Sequence, residues 1–145
     1  MEHKQALMKS VARARRAWDN HMRAIAYEIG IPDSYRSIIM YLTRKPGASQ
    51  KDIAEFAHVT TSAINQTVKK MLVDDYLRKE SEDCDKRYSK LFLTEKGMLA
   101  SEKLRERLHI SDERITEWIT PQQEAEMIAL LDKLTDYIRK DLPTC

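Results

Sequence analysis

One short segment carries polar side chains whose types and spacing suit the recognition of double-stranded DNA. Hydroxyl and carboxamide groups come first, and two lysines follow on the same side of a helical repeat. Carboxamides can pair bidentately with adenine in a major groove, hydroxyls at a helix N-terminus can hold phosphates, and lysines neutralise the backbone. This polar face consists of Thr61, Ser62, Asn65, Gln66, Lys69 and Lys70.

Two short helices and a turn must position that face. Ser49 and Asp52, three residues apart, form a start that resembles a capping box, and Thr60 can cap a second helix through its hydroxyl. Two helices joined by a short turn, the second polar outward, describe a helix-turn-helix, although an ordinary helical hairpin with a solvated face fits as well. The second helix has a stripe at the i, i+4, i+7, i+8 spacing of a buried face, formed by Ile64, Val68, Met71 and Leu72.

The segment after these helices favours the helix-turn-helix. Residues 76–79 and 88–93 are predicted strands, separated by the polar loop 81–87. A hairpin that directly follows a recognition helix is a wing. In its loop Arg87 could enter a minor groove, and Asp85 could pair with it and hold it in place.

These segments together resemble the MarR-type winged-helix regulators. Asp85-Lys86-Arg87 and the run from Leu91 to Gly97 look like the family's D-x-R wing and L-T-x-x-G signature. Residues 50–54 and 60–64 lie where the family has its Q-x-x-[LI]-A motif and the start of its recognition helix, and the similarity in helix order covers nearly all 145 residues. The family usually has glycine at two positions that are His58 and Asp75 here, and both residue types visit positive φ more readily than most.

Helices are also predicted on both sides of this region. They cover residues 4–29, with a heptad-like apolar seam, a helix to Arg44 capped by Asp33 or Ser34, residues 95–119 after a Thr94 cap, and a last helix from the Thr120 capping box to Lys140. We therefore predict a mainly α fold with a small β-hairpin wing. A winged helix-turn-helix of residues 32–94 would be flanked by a helical dimerisation region of residues 1–31 and 95–145, in one intertwined domain.

Composition excludes several classes of protein. The chain has three glycines and shows no Gly-rich phosphate loop, no metal-spaced His/Cys/Asp cluster and no Ser/His/Asp arrangement, so we predict no enzyme, cofactor or metal. It lacks an apolar run of membrane-spanning length and a signal peptide, which predicts a cytoplasmic protein. Its net charge is only +2, so tight binding to DNA would need a homodimer and a specific site.

The family resemblance implies a small aromatic or lipophilic effector, bound between the dimerisation region and the winged helix. The matching positions are Trp18, His21, Met22 and Tyr41, although helical spacing alone would place them in the core. Peroxide-sensing members carry a cysteine in the first helix, where this chain has none, so a redox switch at Cys84 is not expected.

The prediction that follows is a dimeric DNA-binding transcriptional regulator, a repressor, that binds a pseudo-palindromic operator. The alternative is a winged-helix protein-interaction module without sequence-specific DNA binding. The predicted DNA contacts are Ser49, Gln50, Thr60, Thr61, Ser62, Asn65, Gln66, Lys69, Lys70, Asp85, Lys86 and Arg87.

Overall fold

A computed structural model describes residues 2–80 and 89–142, with side chains from residue 6 onward. These residues form helices and one short hairpin, which confirms the predicted mainly α class. Their bounds are α1 (Glu2–Ile29), α2 (Asp33–Arg44), α3 (Gln50–Ala57), α4 (Thr61–Val73), β1 (Leu77–Glu80), β2 (Lys90–Leu93), α5 (Glu95–Thr116) and α6 (Pro121–Asp141). The chain divides into two compact units, Met1–Glu106 and Arg107–Cys145, and the predicted domain division stays a prediction.

The helix starts follow from side chains that satisfy the first backbone N–H groups. At α3 the Asp52 N–H donates to the Ser49 hydroxyl at 3.2 Å and the Ser49 N–H donates to the Asp52 carboxylate at 3.1 Å, so the predicted capping box is confirmed. Thr60 accepts from the Ala63 N–H at 3.1 Å and so caps α4. The caps predicted at Thr94 and Thr120 are confirmed in the same way.

The predicted cap of α2 is wrong. The N-cap residue is Pro32, which offers no side-chain acceptor, and Asp33 is already the first helical residue. The Asp33 carboxylate instead accepts from Arg36 Nε at 3.0 Å, one turn along the helix. The end of α5 also differs from the prediction, since the helix stops at Thr116 rather than near Ile119.

Two helices end at residues with positive φ, as the sequence predicts. His58, after α3, has φ 54°, and Asp75, after α4, has φ 65°. Beyond α4 the Tyr76 N–H donates to the Met71 carbonyl at 2.9 Å and the Asp75 N–H donates to the Leu72 carbonyl at 3.3 Å. This pair of bonds is a Schellman motif, which normally uses glycine at the position of Asp75.

The hairpin is antiparallel and short. Leu77 lies opposite Leu93, and Glu80 lies opposite Lys90. The other edge of β2 is also bonded, because the Gly47 N–H donates to the Leu91 carbonyl at 2.8 Å and the Leu91 N–H donates to the Ala48 carbonyl at 3.0 Å. The segment between α2 and α3 therefore holds the base of the hairpin against the helices.

The core of the first unit is formed where α1 to α4, the first part of α5 and the two strands bring their apolar faces together. The predicted apolar stripe of α4 is buried except at Leu72, which is half-buried. The N-terminal half of the α1 seam differs, because Leu7 stays 59% exposed. The fully buried side chains include Ile25, Ile38, Ile39, Leu42, Ile53, Val68, Met71, Leu91 and Leu104.

In the second unit, none of the residues of α6 is buried. Its exposed large apolar residues keep between 38% and 68% of their surface in water, with Leu130 the most exposed, and Leu134 is half-buried. Over the residues described, no helix has both the length and the apolar character needed to cross a membrane.

Candidate nucleic-acid interface

The polar face of α4 points away from the core. Ile64, Val68 and Met71 are buried on one side of the helix. The opposite side leaves Gln66 exposed and Asn65 half-buried. Carboxamides and cations on one accessible helix face can donate and accept hydrogen bonds along a major groove. The other exposed polar residues of this helix are Thr61, Ser62, Lys69 and Lys70.

The predicted contacts that precede α3 and α4 differ in accessibility. Thr60 is exposed and Ser49 is half-buried, and the hydroxyl oxygen of each already accepts the capping N–H. A hydroxyl that accepts one hydrogen bond can still donate its own proton. Each of the two side chains can therefore cap a helix and bind a phosphate at the same time. Gln50 is only 9% exposed, which makes it the least accessible of the predicted contacts in the described region.

The predicted wing contacts Asp85, Lys86 and Arg87, and Cys84 beside them, lie outside the described residues. The base of the hairpin is described. Arg78 lies over the Phe92 ring at 4.4 Å and pairs with Glu80 on the same strand. This stacking buries part of an aromatic side chain of β2 and stiffens the hairpin on the side of α2 and α5.

The four residues predicted to line an effector pocket lie on α1 and α2, and the effector pocket there stays a prediction. Trp18 and His21 contact each other through rings 5.7 Å apart, while Tyr41 packs on Phe56 at 4.8 Å. Met22 is only 2% exposed and belongs to the core.

A cavity of about 570 Å³ lies elsewhere, between the end of α2, the hairpin and the start of α5. Phe92 and Met98 supply apolar surface to it, Arg78 and Arg105 supply positive charge, and Glu95 and Glu102 supply negative charge. Its wall includes the hydrogen-bonded hydroxyls of Thr43 and Ser101, 2.7 Å apart. Sequence reasoning missed this cavity because its residues come from segments as far apart as Leu42 and Arg105.

The described side chains offer little to a metal ion. Among them, no group of three or more His, Cys, Asp or Glu residues is placed to hold one.

Comparison with known proteins gives consistent results. The sequence profile of the MarR family matches residues 29–87. The HTH-type transcriptional regulator BilQ of Clostridium symbiosum is 28% identical over 96 residues, which are 66% of this chain and 67% of that protein.

Solved structures share the fold at low identity. Staphylococcus aureus MarR in complex with salicylate and kanamycin superposes with a TM-score of 0.84 at 18% identity, over 96% of this chain and 94% of that one. The transcriptional repressor CouR bound to a 23-mer DNA duplex gives 0.79 at 16% identity, over 92% and 95% of the two chains.

Proposed function

We propose that this chain is a winged-helix transcriptional regulator of the MarR family and represses transcription as a homodimer bound to a pseudo-palindromic operator. As a member of that family it is a DNA-binding regulator and not an enzyme. The observation that carries the proposal is the outward polar face of α4, whose opposite face is buried in the core.

In the proposed complex α4 enters the major groove. Asn65 and Gln66 contact base edges, and Lys69 and Lys70 contact the backbone. CouR, which has the same fold, has been solved with a 23-mer duplex, and this supports the assignment. The remaining proposed contacts are to phosphates from Ser49, Gln50, Thr60, Thr61 and Ser62, and to the minor groove from Asp85, Lys86 and Arg87.

The homodimer is supported by apolar surface that one chain leaves in water. Leu7 of α1 and Leu130 of α6 are 59% and 68% exposed, and other apolar residues of α5 and α6 are exposed as well. Burying such residues against a second copy would remove them from water at about 25 cal/mol per Å². Two-fold symmetry then places two α4 helices about one DNA turn apart, roughly 34 Å.

Selection of bound fragments from random genomic DNA, followed by sequencing, tests the proposed function. We expect a palindrome whose half-sites are centred about 10 base pairs apart, two chains per site, and an affinity that falls steeply with salt. Sedimentation of the complex measures the stoichiometry. A protein-interaction module would instead enrich no sequence and bind DNA weakly.

We further propose that a small aromatic or lipophilic effector releases the operator by binding in the cavity between α2, the hairpin and α5. Staphylococcus aureus MarR has been solved with salicylate, which supports an aromatic ligand. In this chain Phe92 and Met98 can pack on an aromatic ring, and Arg78 or Arg105 can pair with a carboxylate. Trp18, His21, Met22 and Tyr41 remain the alternative predicted from the sequence.

Replacing Met98 with tryptophan should fill part of this cavity and weaken salicylate binding at least tenfold, with operator affinity unchanged. Calorimetric titration with salicylate measures the first quantity and fluorescence anisotropy of labelled operator the second. Trp18→Ala is the matched variant and should leave salicylate affinity unchanged. If only Trp18→Ala lost affinity for salicylate, the effector site would instead lie at the first helix.

A further inference from the structure

The C-terminal end of α4 is tied to α2 by a single side-chain bond. The Tyr35 hydroxyl donates to the Asp74 carboxylate at 2.6 Å, across 39 residues of sequence. Asp74 is the C-cap residue of α4, and Tyr35 lies in the first turn of α2 and is only 2% exposed. The bond therefore joins the end of the proposed DNA-reading helix to a buried position on another helix.

The position of the Tyr35 side chain is fixed by the packing around it. Its ring packs edge-on against Tyr76 at 5.5 Å, and its helix is anchored in the core by Ile38 and Ile39, which are fully buried. Burial and the neighbouring Asp74 carboxylate raise the pKa of Tyr35 to about 12, so the hydroxyl keeps its proton and remains a donor at neutral pH.

The backbone at the same helix end is satisfied by other groups. Lys96 Nζ donates to the Asp74 carbonyl at 2.8 Å, the Thr94 hydroxyl donates to the Asp75 carbonyl, and the Thr94 N–H donates to the Tyr76 carbonyl at 3.1 Å. These bonds and the Schellman motif do not use the Tyr35 hydroxyl. Loss of that hydroxyl would thus leave the helix end formed but without its side-chain hydrogen bond to α2.

A small tilt of α4 has a large effect on the groove-facing side chains. From Thr60 to Gln66 the helix rises about 9 Å, and to Lys70 about 15 Å. A tilt of about 5° around the Thr60 end then moves Gln66 by about 0.8 Å and Lys70 by about 1.3 Å. Hydrogen bonds to base edges span only about 2.7–3.2 Å, so shifts of this size would break them.

We propose that Tyr35 is a positioning residue for DNA recognition: through its hydrogen bond to Asp74 it fixes the angle of α4 against α2, and thereby the register of Gln66 against the base edges of the major groove. This inference rests on the DNA-binding function proposed above. It predicts that the Tyr35 hydroxyl contributes to specific binding without itself touching DNA.

Removing the hydroxyl with Tyr35→Phe keeps the ring and its packing on Tyr76. We expect the dissociation constant for the selected operator to rise about tenfold, while binding to a scrambled duplex of equal length changes less than twofold. Asp74→Ala should raise the dissociation constant for the operator by the same factor. The double variant should raise it no further than either single substitution. Asp74→Asn keeps an acceptor for the hydroxyl and should retain operator affinity within about threefold. Urea unfolding of each variant checks that the protein is folded under binding conditions.

The outcomes separate this inference from the proposed function. If the wild-type chain selects no operator, the DNA-binding function fails, and the inference with it. If the wild type selects an operator and Tyr35→Phe binds it within twofold of the wild type, only the inference is overturned. The inference would also be overturned if Tyr35→Phe lost affinity equally for operator and scrambled DNA. It would be overturned as well if the two single losses of affinity added fully in the double variant, because both substitutions remove the same hydrogen bond.

Discussion

Replacing Gly97 with alanine is expected to destabilise the protein by about 3 kcal/mol, the larger part of the range for overpacking a close contact. A β-carbon built at Gly97 lies 2.3 Å from the Tyr76 carbonyl oxygen and 3.2 Å from Leu93. The Tyr76 carbonyl cannot move away freely, because it accepts the Thr94 N–H at 3.1 Å. The free energy of unfolding, measured by urea titration with circular dichroism, should show the loss.

The close contact and helix propensity predict opposite changes in stability for Gly97→Ala, so the measurement distinguishes them. Gly97 lies in the first turn of α5, and on helix propensity alone alanine would stabilise a helix by up to about 1 kcal/mol relative to glycine. Glu102→Ala on the exposed side of the same helix is the control and should stay within about 0.5 kcal/mol of the wild type. A Gly97→Ala variant as stable as the wild type would show that α5 and the hairpin do not approach this closely.

The helix ends show which parts of the fold can be predicted from the sequence. Thr94 can be identified as a helix cap from its neighbours alone, and the same holds for Ser49, Thr60 and Thr120. The positive φ at His58 and Asp75 was predictable because the turn chemistry depends on the residues at the turn itself. These four caps and two helix ends depend on local residues, and the sequence predicts them correctly, although it misplaces the start of α2 and the end of α5.

Contacts between distant segments were not predictable in the same way. The Asp74 carboxylate could have paired with several cations along the chain, and only the packing of α2 on α4 brings the Tyr35 hydroxyl to it. The α2 cap was predicted wrongly for a different, local reason, since the helix already begins at Asp33, whose carboxylate bonds to Arg36 one turn along. The position of the cavity likewise depends on how α5 packs against β2, which no local pattern specifies.

The candidate site falls between these cases. The sequence predicts which face of α4 is polar, and the structure shows that face to be accessible. Accessibility within the face could not be deduced, because it depends on what packs beside the helix. Gln66 is exposed while Asn65 is half-buried, and Gln50 at the start of α3 is largely covered. The contacts themselves stay predictions.

The largest expected effect on function is the loss of operator recognition when the carboxamides of α4 are removed. Gln66→Ala and Asn65→Ala should each weaken operator binding by about 1–3 kcal/mol per half-site, or about 5- to 150-fold per half-site, because each bidentate pair with a base contributes on that scale. We expect the larger loss for Gln66, whose side chain is exposed, and a smaller one for the half-buried Asn65. Fluorescence anisotropy with the selected operator and a scrambled duplex measures both.

A lysine on the same helix provides the matched control for that prediction. Lys69→Ala should weaken binding to operator and scrambled DNA alike, since a phosphate contact carries no sequence information. It should reduce the slope of log affinity against log salt by about 2, one contact from each chain of the proposed homodimer. Gln66→Ala should leave that slope unchanged and reduce only the preference for the operator. If the two variants behave alike, α4 binds the backbone without reading bases, and specificity would have to come from the wing or from the shape of the DNA.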